Sequence, residues 1–549
     1  MASSYTVSTF LTRLEELFPA TSGPNITGAS LSTAHLIKAL LEERQVETLE
    51  VFVPPSEFQR RDDMAQIARL ILPEHRLGQG TLRFYPAHTA AEIWSDGVDR
   101  ILLSTDTCHL AHDQYLRDRF SKGPMGIHCL THGMGQPETF ESFQQVTSSR
   151  ADAITCLSTA CLGAIKRCLQ HFSNGADLEL TVLRNSVDLR RFSPTDWRSK
   201  ARHRALLGLP ADHTLALYLG RITPASKCDL LPLIRQFAVH SSAMDTLVIA
   251  GVENYPGYIA RCQEAAVRLG LGKRAIFRGA IDHDLTALYY EAADLFVFPC
   301  DNIQEAFANT VAEAMACGLP VVGSQWDGLV DLVKDGETGI LVPTYLMPGL
   351  EMIGEMYQAT PLMDNYLLIA QNTIVDERAF GSALGKLLGD AELRSRMGAA
   401  GRARIVELCG WPAIKPQIFQ LWDRLLAAAR ASGKRQGNPR LEVPVGELFS
   451  EYGTKIEPER WSIKLSELGE LVVNGRATLQ FYEPTLSLVR SPVIDALFQC
   501  LRSGKSIVMR EACEQAAEAG KTTADTVYFH IGLLAKRGVI ELERASPML

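Results

Sequence analysis

The sequence predicts an α/β chain of buried parallel strands alternating with helices, followed by a smaller α+β tail. Three observations predict it. Short continuous apolar runs bounded by turn residues, such as 215–219 (LALYL) and 295–298 (LFVF), have the length and flanks of fully buried strands. A chain of 549 residues is too long for one core and corresponds to three or four domains. The polar, Gly- and Pro-containing stretch 431–439 then reads as a linker before a tail of different rhythm.

In chain order, residues 5–10 are a candidate first strand. Segment 25–30 (NITGAS) precedes a helical pattern carried by Leu31, Ala34, Leu36 and Leu40. A small-residue turn that opens a helix lets backbone approach a phosphate, which makes Gly28 and Ala29 candidate contacts. Strands are expected at 49–53, 82–85 and 101–103. Segment 127–133 (IHCLTHG) reads as a strand that holds His128 and ends in a turn at His132 and Gly133, and 151–158 as a strand with a serine at its tip. In the second half, 215–219 leads through Gly220 into a loop with Arg221 and Lys227, and 248–251 and 275–279 are the next strands.

Glu305 and Glu313 follow the strand at 295–298, the first in a loop and the second two turns further along an expected helix. Ligands of open α/β sheets bind beyond the carboxyl ends of strands, and carboxylates grip sugar hydroxyls. Between the two acids, Phe307, Ala308, Asn309 and Thr310 would present backbone N–H groups at a helix N-terminus, which favours phosphate. An amphipathic helix with Met315 and Leu319 in the core and Glu313 in solvent is the plainer alternative.

The segment 293–344, "ADLFVFPCDNIQEAFANTVAEAMACGLPVVGSQWDGLVDLVKDGETGILVPT", resembles the nucleotide-binding domain of family 4 of the retaining, nucleotide-sugar-dependent glycosyltransferases. Segments 183–194 (LRNSVDLRRFSP), 217–231 (LYLGRITPASKCDLL) and 387–411 are similar to that family's interdomain linker, its basic loop and its last helices. The resemblance, covering about residues 20–430, implies a GT-B fold: two Rossmann-like domains facing a cleft. It implies transfer of a sugar from a nucleotide donor, with a UDP-sugar expected, to an unidentified acceptor. In the implied roles Arg221 and Lys227 stabilise the diphosphate, Glu305 binds the donor sugar, Glu313 the ribose, and His132 lies on the acceptor side near the sugar. No protein nucleophile is implied, because the departing phosphate helps to deprotonate the acceptor on the same face. The chain has Gly28-Ala29 where the family usually has two glycines. Residues 345–374 exceed the usual link between elements, either covering the cleft, forming a homodimer surface, or packing as a surface excursion.

The expected domains are 1–182 (acceptor side), 183–430 (donor side with a final crossover helix), a linker at 431–445, and 446–549. A net charge of −8 and a pI near 6.0 give no chain-wide attraction for nucleic acid or anionic lipid. No apolar run is long enough for a transmembrane segment, and Glu15 and Glu16 stand where a signal peptide would be uncharged, so a cytoplasmic protein is expected. The 12 cysteines include no C-x-x-C pair and read as reduced thiols. The His109/His112 pair reads as surface histidine. No metal site is expected, for want of an Asp-x-Asp pattern, and no cofactor beyond the donor.

In the tail, short strands are expected at 471–473 and 478–481, helices at 493–501, 508–519 and 523–536, and a strand at 538–542, a winged helix-like order. The start of the second helix of the turn, 522–530, offers Asp525, Tyr528 and His530 but no Lys or Arg, and residues 431–549 hold 15 basic and 15 acidic side chains. The tail therefore reads as a protein- or peptide-binding or dimerisation module, with no nucleic acid expected. Two rival functions remain open at this stage. One is a regulator that senses a nucleotide-sugar through a degenerate transferase domain, and the other is a nucleotide-sugar hydrolase or epimerase.

Overall fold

The computed structural model describes residues 4–13, 16–17, 28–58, 66–69, 71–73, 76, 81–133, 137–173, 175–348, 350–356, 362–433, 444, 456–482, 486 and 488–544. They fall into two compact units, Met1–Val53 with Asp62–Asn438, and Pro54–Arg61 with Pro439–Leu549.

The larger unit contains two parallel sheets. The first is built from β1 (Tyr5–Phe10), β2 (Val46–Val53), β3 (Leu82–Pro86), β4 (Arg100–Ser104), β5 (Met125–Leu130), β6 (Ser149–Cys156) and β7 (Leu178–Val182) in the order β3-β2-β1-β4-β5-β6-β7. Every pairing is parallel. β4 and β5 are buried along their whole length, as strands covered on both faces must be. A buried charged pair inside this sheet is satisfied by several partners. Arg100 meets Glu50 at 3.0 and 3.1 Å, and Ser8 Oγ donates to the same carboxylate at 2.6 Å.

The second sheet runs β10-β9-β8-β11-β12-β13, with β8 (Thr214–Leu219), β9 (Asp245–Ala250), β10 (Ala275–Arg278), β11 (Leu295–Phe298), β12 (Val321–Ser324) and β13 (Gly339–Val342). Strand order reverses between β1 and β4 in one sheet and between β8 and β11 in the other. Connections leave such neighbours in opposite directions and open a crevice at their carboxyl ends.

The helix Trp411–Ala431 returns to the first sheet. Tyr5 stacks on Phe419 with ring centroids 5.2 Å apart, and its hydroxyl donates to Asp423 at 2.9 Å. Trp422 Nε1 donates to His128 Nδ1 at 3.0 Å, and His128 Nε2 lies 3.0 Å from Thr155 Oγ1. Burial pushes this imidazole down to about 3, so His128 is a neutral core residue within β5.

Among the described residues, the excursion after β13 carries two strands and two helices. β14 (Thr344–Leu346) pairs antiparallel with β15 (Thr373–Val375), and the helices Leu350–Met356 and Leu362–Ala370 lie between them.

In the smaller unit, β16 (Trp461–Leu465), β17 (Ile507–Val508) and β18 (Ile540–Arg544) form an antiparallel sheet in the order β17-β16-β18. Its core gathers Ile463, Leu497, Leu501, Ala512, Val527 and Leu534. The helices Ser491–Leu501, Met509–Ala519 and Ala524–Lys536 agree with the sequence expectation. Two strand expectations are corrected. Residues 471–473 end the helix Glu467–Val473, whose first turn is capped by Ser466 Oγ accepting from Gly469 N at 2.9 Å. Residues 478–481 form no strand; Phe481 lies under the Arg537 guanidinium, 4.6 Å from its ring centroid. His530 is buried rather than displayed, accepting from Arg490 N at 2.9 Å. The expected linker at 431–445 falls mostly outside the described residues.

Candidate active site

The basic loop leaves β8 at the reversal point of the second sheet. A Cβ on Gly251 would lie 1.8 Å from the carbonyl oxygen of Gly220, so only glycine there lets the ends of β8 and β9 close together. Gly220 N donates to Ala250 O at 3.0 Å, and the Tyr218 hydroxyl donates to Arg221 O at 2.8 Å. These bonds fix the backbone from which Arg221 and Lys227 project. Arg221 Nη2 donates to Gln304 Oε1 at 2.9 Å, and Lys227 Nζ is ion-paired with Glu305 Oε2.

Glu305 arrives from the neighbouring strand, β11. Its other carboxylate oxygen accepts from Ala308 N at 2.8 Å. This turn needs Ala308 in the left-handed region, at φ 67° and ψ 63°, directly before the helix Asn309–Ala316. A non-glycine residue in that conformation is uncommon and stores strain of order 1 kcal/mol or more. Gly328 supports the loop from behind, since a Cβ there would lie 2.5 Å from Ala306 O and 2.7 Å from Phe307 Cα.

These groups line a cavity of ≈ 200 Å³ that also takes His132, Gly133 and Asp106 from the first domain, Asn185 from the connection between domains, and Tyr366 from the excursion. His132 Nε2 lies 3.1 Å from Thr33 Oγ1. Burial lowers the His132 pKa, and the Asp106 carboxylate opposes that shift only in part, so the ring is neutral at neutral pH. Asn185 Nδ2 donates at 3.1 Å to both Ser32 Oγ and Asn309 Oδ1, joining the first helix, the interdomain connection and the helix start of the second domain.

The two domains also meet through acidic side chains after β12. Asp327 Oδ1 accepts from Ser158 Oγ at 2.7 Å, and Asp331 accepts from Thr159 N and Oγ1, each at 2.8 Å. Asp327 has φ 38° and ψ −126°, a conformation that L side chains rarely take. Burial, reinforced by the Glu305 and Asp331 carboxylates, pushes its pKa up to about 7 against the Ser158 hydrogen bond.

The structure thus brings together Arg221, Lys227, Glu305, His132, Phe307 and Asn309. Gly220 and Ala308 shape the cavity through backbone without lining it, and Thr310 is the next helical residue. Glu313 does not line it. Its carboxylate accepts from the Tyr290 hydroxyl at 2.8 Å, and burial pushes it up to about 7 despite Tyr290 and Arg191. Gly28 and Ala29 open the helix Gly28–Glu42, whose Ser32 and Thr33 reach the site. Sequence reasoning missed Ser32, Thr33, Asp106, Asn185, Gln304, Asp327 and Tyr366. A hydroxyl pair in the first turns of that helix was the one local signal.

Residues 213–348 match the family model described as glycosyl transferases group 1. Among curated proteins, the chain is 37% identical over 176 residues to a D-inositol 3-phosphate glycosyltransferase of Streptomyces bingchenggensis, covering 31% of this chain and 38% of that protein. A counterpart from Streptomyces scabiei is 29% identical over 251 residues, covering 44% and 48%. The chain thus spans less than half the length of these curated relatives. Among solved structures, a sucrose-phosphate synthase from Thermosynechococcus elongatus superposes with a TM-score of 0.52 at 20% identity, covering 77% of this chain and 100% of that one. Anabaena HepE in complex with UDP gives 0.53 at 16% identity, covering 76% and 99%. The two Rossmann-like domains are therefore arranged as a GT-B fold.

Proposed function

We propose that the chain is a retaining glycosyltransferase that moves a sugar from a UDP-sugar to an acceptor alcohol. The observation that carries this is the Lys227–Glu305 ion pair at the β8/β11 reversal point, with Arg221 beside it and neutral His132 facing it from the other domain. The leaving diphosphate gains negative charge as the glycosidic bond breaks, and preorganised cations stabilise that charge most where water is excluded. Arg221 and Lys227 supply the cations. Glu305, its geometry set by Ala308 N, receives sugar hydroxyls, and the N-terminus of the helix Asn309–Ala316 adds its dipole to the phosphate contacts. The acceptor oxygen attacks on the face from which the diphosphate departs, and its proton passes to that diphosphate. Glu313, which lies outside this cavity with its carboxylate on the Tyr290 hydroxyl, keeps the ribose role only as the family resemblance implies it.

The choice of UDP is supported by the named ligand of HepE. The curated relatives are named for inositol 3-phosphate, which makes a phosphorylated polyol one acceptor to examine. The C-terminal unit, with its own core and its balanced charge, is read as a winged helix-like docking module for a protein or peptide.

A thermal-shift panel of UDP-, GDP- and ADP-sugars tests the donor site, because a ligand that binds only the native state raises its apparent stability. A shift with UDP-sugars that disappears in Lys227→Ala is the expected result. Equal shifts in parent and variant would remove Lys227 from the site.

A further inference from the structure

A second, larger cavity of ≈ 980 Å³ adjoins the first, and Ala306 lines both. That volume lies at the upper end of the pockets that enclose drug-sized ligands, about 300–1,000 Å³. Its walls are aromatic on two sides. Phe140 and Phe172 are stacked with centroids 4.9 Å apart, and the Trp326 indole is held by its Nε1 donating to Asn302 O at 3.0 Å. Ile303, Leu346 and Ile369 add aliphatic surface, the last two from the excursion between β13 and the helix Glu377–Gly389. Polar side chains on the lining are Gln325 and Asp327, in the same short segment as Trp326, together with Thr344 and His171.

We propose that this cavity receives the body of the glycosyl acceptor, and that the acceptor is a neutral, ring-containing apolar alcohol or phenol. This rests on the glycosyl-transfer reading above. The shared wall at Ala306 brings the larger space up to the Glu305 side of the smaller one, so an acceptor hydroxyl can face the donor there, with Asp327 lining the larger space. Flat aromatic walls suit rings through offset or edge contacts. The described lining residues include no Lys or Arg, and a phosphorylated polyol would need such cations to replace water around its charge. In transfer the acceptor oxygen bonds to the anomeric carbon as the bond from that carbon to the diphosphate breaks. The hydroxyl proton goes to the departing diphosphate oxygen.

Ala160 and Ala164 stand four apart on the helix Thr159–Phe172, share one face and line the cavity without being fully buried. Tryptophan at either position fills the space without entering the core. Calorimetric titration of the full chain with kaempferol, a neutral polycyclic phenol, and separately with UDP and with inositol 3-phosphate, is the test. Saturable kaempferol binding to the parent, weakened about ten-fold or more in Ala160→Trp and Ala164→Trp while UDP binding stays within about two-fold, is expected. Absence of kaempferol binding to the parent, or binding that survives both substitutions, overturns the proposal, as does inositol 3-phosphate binding that both substitutions abolish. Should one variant unfold, the other decides. Failure of UDP to bind the parent would strike the donor reading alone, because kaempferol binding is measured without it.

Discussion

Glu305 both neutralises Lys227 and fixes the turn at Ala308, so its charge and its geometry can be separated by substitution. Glu305→Gln keeps an acceptor for Ala308 N but removes the carboxylate that competes with phosphate for Lys227. Transfer should fall about 100-fold or more while UDP affinity is held or improved, measured by turnover and calorimetry. Asp327 makes a pH prediction. Its folded-state pKa of about 7 lies above the ordinary 3.8, so the folded chain holds a proton that the unfolded chain has lost across that interval. Its contribution to stability is complete below 3.8 and is lost as pH rises through about 7. Asp327→Asn, neutral at every pH and still able to accept from Ser158, should melt near the parent at pH 4 and above it at pH 8. Identical melting curves at both values would refute the shift. Residues at this scale were legible where chemistry and position coincide, as for Arg221, Lys227 and Glu305 in loops after buried strands. Ser32, Asn185 and Gln304 were not, because their meaning lies in partners more than 80 positions away.

Strands were legible as elements because burial on both faces demands continuous apolar runs, whatever their neighbours. The segment 471–473 misled for the same reason: three apolar residues fit a short strand or the last turn of a helix equally well, and the Ser466 cap decides it. At the loop and helix that carry the site, backbone conformation sets the behaviour of substitutions. Ala308→Val would place a β-branched side chain at φ 67°, and should lower both the melting temperature and UDP affinity. Ala308→Gly should cost little, since the strain it relieves offsets the roughly 0.5–1 kcal/mol that added chain freedom costs elsewhere. Gly328→Ala meets backbone rather than a flexible side chain, so the 305–308 loop must move. UDP-sugar affinity should drop several-fold in that variant, and retention of full affinity would show that the loop tolerates the shift.

At the scale of the whole molecule, two sheets of the same doubly wound plan supply complementary parts. The second brings cations and carboxylate, and the first brings His132 and Asp106. Length implied three or four domains, and the polar stretch near 431–439 falls where the two compact units part; the return of the last long helix to the first sheet was expected from the family resemblance alone, as a final crossover helix, because the apolar face of a helix does not say which sheet it covers. Removing residues 440–549 should leave the UDP-dependent thermal shift intact, because the core of that unit is its own. Loss of the shift would assign the tail a part in building the donor site.

The helix Trp411–Ala431 has a further consequence. It covers β5 and β6 and holds Tyr5, so β1 is completed by residues synthesised 414 to 418 positions later. On the ribosome the second domain can close its sheet while the first still exposes the apolar surface that Phe419 and Trp422 will bury. Order of synthesis and order of completion are therefore reversed, and the nascent first domain is the one that needs protection from aggregation until the helix has emerged.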